Sequence, residues 1–110
     1  MIDWKRVEEL REEIGLDGFL EVADMFLGEA EEAVSALLRG LPTDRIEDQL
    51  HFLKGSALNL GLCDLAAICQ DGERKAAAGD GGQVDPGQVA AIYHASRDAL
   101  LARLNQVTAA

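Results

Sequence analysis

The sequence predicts an all-α protein: an antiparallel up-down four-helix bundle with an additional short N-terminal helix, built from residues 1–110 as one domain. Three observations carry this expectation. Hydrophobic residues make up 48% of the chain but aromatics only 5%, and the Ala and Leu that dominate lose little side-chain entropy in a helix. Apolar residues recur at spacings of three and four, and no run alternates apolar with polar residues as a half-buried strand does. Breaks containing Gly or Pro cut the chain into helix-length segments joined by short loops, which sets consecutive helices antiparallel. A chain of 110 residues is long enough for one modest core without disulfides or a structural metal.

The elements follow in order. A first helix covers Asp3 to Ile14, with Trp4, Val7, Leu10 and Ile14 on one face, and is expected to cap one end of the bundle. A break spans Gly15 to Gly18, and Asp17 is a candidate N-cap for the second helix. That helix carries Phe19, Ala23, Phe26, Ala30, Val34, Leu37 and Leu41 and stops at Gly40-Leu41-Pro42, where proline cannot continue it. The third starts at Thr43 or Asp44, with Asp44 and Glu47 fitting a capping-box variant, and runs to Leu60, where Gly61 supplies the stop. The fourth runs from Leu62 to Ala78 through Leu65, Cys69, Gly72 and Ala76. Asp85-Pro86-Gly87-Gln88 then places an N-cap, a proline in the first helical position and a glutamine in the third. The fifth helix continues through Val89, Ile92, Ser96, Ala99, Leu100, Leu104 and Val107.

Charge and composition exclude several classes of function. With 20 acidic and 10 basic residues the formal net charge is -10, and such a surface repels nucleic-acid backbones and anionic lipid. No run is long and apolar enough to span a bilayer. The opening Met1-Ile2-Asp3-Trp4-Lys5 has charges where a signal peptide has an apolar stretch, so the cytoplasm is the expected location. The start at Met1 and the full set of helices read as a stand-alone protein, and no helix face resembles a dimer seam, so a monomer is expected. The two cysteines, Cys63 and Cys69, are six apart, about 240° around a helix, which rules out a disulfide within it; both are expected as buried thiols.

The informative stretch is Gln49-Leu50-His51-Phe52-Leu53-Lys54-Gly55-Ser56-Ala57-Leu58-Asn59-Leu60-Gly61. On a helical wheel Ile46, Leu50, Leu53, Ala57 and Leu60 form the core stripe, and His51 lies opposite its centre, facing solvent. Imidazole can act as nucleophile, base or ligand near neutral pH, although a lone surface histidine has no function as a rule. The neighbours on its face shift that balance. Gly55, at i+4, costs about 0.8–1 kcal/mol relative to Ala in a helix interior, and its missing side chain leaves space beside the imidazole; close approach of another helix is the alternative reason for it. Lys54, at i+3, is either an ordinary surface lysine or a positive charge that attracts a phosphoryl group or an acidic partner. Leu58, at i+7, is an exposed apolar residue that needs no explanation alone and that suits a docking patch beside a reactive group. In a hairpin turning at Gly61-Leu62, Glu73 on the fourth helix comes level with His51. A carboxylate there accepts the Nδ1–H bond and leaves Nε2 free as nucleophile; otherwise Glu73 is a solvated surface residue.

His51-Phe52-Leu53-Lys54-Gly55-Ser56-Ala57, followed by Asn59-Leu60-Gly61, resembles the signature of the histidine-containing phosphotransfer (HPt) domain, His-x-Leu-Lys-Gly-Ser with Leu-Gly shortly after. The motif covers about a dozen residues, and the number, length and pattern of helices extend the resemblance over most of the chain. The resemblance implies that His51 is a phosphoacceptor modified at Nε2, that Lys54 and Gly55 are the family's lysine and glycine, and that Glu73 stands where many members bond a Glu or Gln to the histidine. It implies that donor and recipient are response-regulator receiver domains phosphorylated on aspartate, with the receiver of a hybrid histidine kinase among the candidates. One departure is visible: members usually have Ala just before the histidine, and this chain has Leu50, for which a packing adjustment is expected.

The expected function is thus that of a phosphocarrier in a multistep phosphorelay. The chain has no Gly-rich ATP loop and no Asp/Asn arrangement for Mg²⁺, so it is not expected to act as a kinase; Mg²⁺ is expected on the receiver. A helical module that binds a response regulator without carrying phosphate is the alternative. A metal site from His51, His94, Cys63 and Cys69 does not match zinc-ligand spacing, and no cofactor is expected in this chain.

Overall fold

The structure, a computed structural model, describes the backbone of residues 2–109 and the side chains of residues 2–104. It consists of α1 (Trp4–Arg39), α2 (Thr43–Leu60), α3 (Cys63–Ala77), a 3₁₀ turn (Gly81–Gln83) and α4 (Pro86–Ala109). No strand occurs among the described residues. Each helix packs against its neighbours in the chain, and α4 returns against α1. This is the all-α bundle that the periodicity predicts, in a body 48 × 21 × 20 Å.

The predicted first and second helices run together as α1, and the break between them narrows to one non-helical residue, Gly15, at φ 79° and ψ 167°. A side chain there would clash with its own backbone, and glycine has none. Asp17 therefore lies inside the first turn after the kink and is not an N-cap. Ile14, the residue before the kink, is exposed, so the buried stripe of the N-terminal segment is Val7 and Leu10 with Trp4 half-buried. The cap that holds this helix at its start is Asp3, whose Oδ1 accepts from Arg6 N–H at 3.2 Å.

The N-terminal segment closes the end of the bundle at which α2 turns into α3. Asp3 N–H donates to the Gly61 carbonyl at 2.7 Å, and Arg6 Nε donates to the Asn59 carbonyl at 3.3 Å. Gly61 makes the turn itself, at φ 74°. Leu62 N–H returns to the Ala57 carbonyl (2.8 Å) and Gly61 N–H to that of Leu58 (3.3 Å), the paired bonds of a Schellman cap. At the other end of α2 the capping box is not formed. Pro42 occupies the N-cap with no side-chain bond, its carbonyl accepting from Arg45 (2.9 Å) and Ile46 (3.0 Å), while Asp44 is left in the first turn near the positive end of the helix dipole. Asp85 does cap α4: its Oδ1 accepts from Gly87 N–H at 2.9 Å and Gln88 N–H at 3.2 Å.

The core joins all four helices: Phe19, Ala23, Leu27, Ala30, Val34 and Leu37 from α1; Leu50, Leu53, Ala57 and Leu60 from α2; Leu65 and Cys69 from α3; Val89, Tyr93, Leu100 and Leu104 from α4. Val107, expected on the same α4 stripe, lies outside the described side chains. Tyr93, absent from the expected stripe, is fully buried, and its hydroxyl donates to the Leu27 carbonyl at 3.0 Å, pinning α4 to α1. Of the two cysteines only Cys69 is buried; Cys63 opens α3 and is exposed, contrary to the expectation of two buried thiols. Once Leu62 has turned inward to the core, the next residue starts the helix on its outer side.

Candidate functional site

His51 projects from the middle of α2 with 73% of its side chain exposed. The residues before and after it explain why. Leu50 and Leu53 are fully buried and fix the rotation of the helix, so that the imidazole must point away from them. Antiparallel packing of α2 on α3 then brings Glu73 level with the ring. Glu73 Oε1 lies 2.9 Å from His51 Nδ1, and Oε2 lies 3.1 Å from Lys54 Nζ. One carboxylate thus accepts from two donors, one on each oxygen. Glu73 is 18% exposed and Lys54 20%, so the pair forms a largely sheltered base under an exposed ring.

An ionised carboxylate can only accept, so the contact to Nδ1 selects the tautomer with its proton on Nδ1. That leaves the lone pair of Nε2 directed at solvent. Lys54 differs from the simplest expectation for it. Its ammonium is engaged by Glu73 and is not a free charge beside the imidazole. It neutralises Glu73 and fixes the rotamer of that carboxylate, and so acts on the ring at one remove.

Gly55 is exposed, and a Cβ built on it meets nothing within 4 Å. Close helix approach therefore does not explain the glycine; the position is open on the side facing solvent. Leu58 is 57% exposed, on the same face as His51 and two turns along α2, and Phe52, beside the histidine, is exposed as well. His94 is exposed on α4, where its ring packs against Tyr93, and it takes no part in the site. No group of three or more potential metal ligands occurs among the described residues, nor is any described helix long and apolar enough to cross a membrane.

Three residues to which the sequence assigns no part in the site lie beside it. Asn59 Nδ2 donates to the Gly55 carbonyl at 3.0 Å, bracing α2 at the position where glycine loosens it; the i,i+4 spacing is the signal that identifies it. Cys69, one turn before Glu73 on α3, is fully buried. Burial, and secondarily the Glu73 charge, push its thiol up to about 12, so it remains neutral and inert. Gly72 receives the end of Leu50: a Cβ on Gly72 would lie 2.8 Å from Leu50 Cδ1. This is the packing adjustment that accommodates Leu before the histidine.

The Hpt domain family model matches residues 21–110. Among curated proteins, the phosphorelay protein LuxU of Vibrio harveyi is 30% identical over 105 residues, which cover 90% of this chain and 91% of that protein. No solved structure matches the chain at a significant level. A family match over most of the chain, joined by a relative aligned nearly end to end, places this helical bundle in the Hpt domain family.

Proposed function

We propose that the protein is a histidine phosphotransfer protein of a phosphorelay, with His51 as the residue that carries the phosphoryl group. The single observation that supports this most is the Glu73 carboxylate 2.9 Å from Nδ1, which leaves Nε2 unprotonated on a largely exposed ring. Membership of the Hpt family and the likeness to a phosphorelay protein support the same function. Proteins of this kind carry phosphate and are not kinases, and their partners are response-regulator receivers.

In the proposed step the Nε2 lone pair attacks the phosphorus of a receiver's aspartyl phosphate. The N–P bond forms as the P–O bond breaks, and the aspartate carboxylate leaves with the electron pair. The imidazole keeps its Nδ1 proton and gains positive charge, which the Glu73 carboxylate offsets from a fixed position. Passing the phosphoryl group to a second receiver reverses these changes and restores the neutral ring. Phosphoryl transfer rests on in-line positioning and charge stabilisation, so an exposed, oriented imidazole is the whole chemical contribution required of this chain. Mg²⁺ on the receiver would neutralise the phosphoryl oxygens. Gly55 leaves the ring approachable, and Leu58 supplies apolar surface for docking. A receiver of a hybrid histidine kinase fits as donor, and the carrier is read as a cytoplasmic monomer.

The test is transfer from a labelled, phosphorylated receiver. Wild-type protein takes up phosphate that is acid-labile, and His51→Gln takes up none. Label on the His51→Gln protein would remove His51 from the role. Receiver binding that persists in His51→Ala, with no transfer from any donor to the wild type, would instead identify a binding module.

A further inference from the structure

The His51–Glu73 bond depends on how closely α2 and α3 approach, and a close contact between the same two helices lies beside it. Leu50 and Gly72 are the residues immediately before His51 and Glu73 in their helices. Leu50 is fully buried, and its Cδ1 occupies the space that a side chain on residue 72 would take: a Cβ there would lie at 2.8 Å, closer than real Cβ contacts come. Val84, from the segment leading to α4, stands 3.7 Å from the same point, so residue 72 is bounded on a second side as well. Interiors packed to this density transmit a displacement instead of absorbing it. The Leu50 side chain is fully buried, so an added methyl group must be met either by a new leucine rotamer within the packed core or by separation of the two helices.

We propose that Leu50 and Gly72 are positioning residues for the phosphotransfer site: the leucine seated on the glycine sets the α2–α3 spacing at which Glu73 reaches Nδ1. The inference rests on the reading of His51 as acceptor. Glu73 is one residue from the fulcrum, and a hydrogen bond at 2.9 Å is lost if its partners draw apart by 1 Å, since contacts beyond about 3.5 Å no longer count as such. The deeper Lys54–Glu73 contact, at 3.1 Å, loosens with it, and the carboxylate is freed to turn to solvent. Neither residue touches the reacting atoms; both act through Glu73.

The experiment compares wild type, Gly72→Ala, and the volume exchange Leu50→Ala with Gly72→Ala, at a temperature at which each is folded by circular dichroism. Two readouts are taken: the tautomer of His51 from imidazole ¹⁵N shifts, and the rate of transfer from a phosphorylated receiver. Gly72→Ala is expected to shift the ring away from the Nδ1–H tautomer and to slow transfer on the order of 10- to 100-fold, the scale of an ångström-level misplacement. The exchange variant, which gives the methyl group room, recovers most of both. Should Gly72→Ala not fold, the exchange variant alone decides: near wild-type tautomer and rate support the proposal, and loss of both in a folded protein overturns it. A Gly72→Ala protein that merely melts lower, with tautomer and rate unchanged, shows that Leu50 rotates aside and overturns it too. If the wild type itself takes up no phosphate, the reading of His51 fails, yet the tautomer measurement still tests the spacing.

Discussion

Removing Glu73 tests the centre of the site, because one carboxylate serves two donors. In Glu73→Ala the Lys54 ammonium, 20% exposed, loses its partner at 3.1 Å, and His51 Nδ1 loses its acceptor at 2.9 Å. Exposed ion pairs contribute about 0–1 kcal/mol, and breaking a fully buried one costs about 3–5 kcal/mol. At 18–20% exposure this pair falls between, and Lys54 can partly recover water, so a loss of about 1–2 kcal/mol is expected. For a chain near 100 residues that corresponds to a fall in Tm of roughly 4–10 °C. Most of the stability loss belongs to the pair, so Lys54→Ala should cost a similar amount, and the double variant little more than either single one. Function should separate the two. Lys54→Ala leaves the acceptor on Nδ1 and is expected to slow transfer only a few-fold, whereas Glu73→Ala releases the tautomer and should slow it about 10- to 100-fold. Thermal melts and single-turnover transfer from a phosphorylated receiver supply both numbers. Additive stability losses in the double variant, or equal transfer rates in the two single variants, would refute the account of Glu73 as a shared acceptor that orients the ring.

Three further outcomes follow from the same geometry. Gly55→Ala meets no atom and should stabilise the helix by about 0.8–1 kcal/mol, raising Tm while slowing transfer by crowding the imidazole; unchanged transfer would show that the glycine is not there for access. Gly61→Ala forces a Cβ into the left-handed region, at φ 74° and 2.7 Å from the Asp3 carbonyl oxygen, and should cost about 2–3 kcal/mol; release of the N-terminal segment would appear as a red shift in the fluorescence of Trp4, the single tryptophan. Burial raises Cys69 from 9.0 to about 12 and Tyr93 from 10.0 to about 12, so the folded state holds both protons more tightly than the unfolded one. The stability from these groups is intact below pH 9 and is lost as pH rises toward 12, by up to about 4 kcal/mol for Cys69. Melting temperature should therefore begin to fall near pH 9, and in Cys69→Ala only near pH 10.

Repeating structure and chemistry that depend on near neighbours are legible along the chain. The three-and-four spacing places Leu53, Ala57 and Leu60 inward and His51 outward, because a helix turns by a fixed angle per residue. Gly61 and Asp85 mark their turns since few residues adopt the left-handed region or cap a helix. Such rules mislead where a nearby residue offers the backbone another way to start or continue the helix. Asp44 and Glu47 carry a capping-box pattern, but Pro42 already begins α2; Asp17 suits an N-cap, but the kink at Gly15 takes the helix past it.

By itself, then, the sequence determined a helical bundle, an exposed His51 and a glycine and lysine on its face. These depend on backbone periodicity and on residue chemistry, both of which act within a few residues. Only the tertiary structure decided that Lys54 pairs with the Glu73 carboxylate that also holds the imidazole, that Cys63 is exposed while Cys69 is buried, and that Leu50 rests on Gly72. Which of several reachable partners a side chain takes depends on the distance and rotation between two helices. That distance is set by side chains that meet from different helices, and no single segment encodes it.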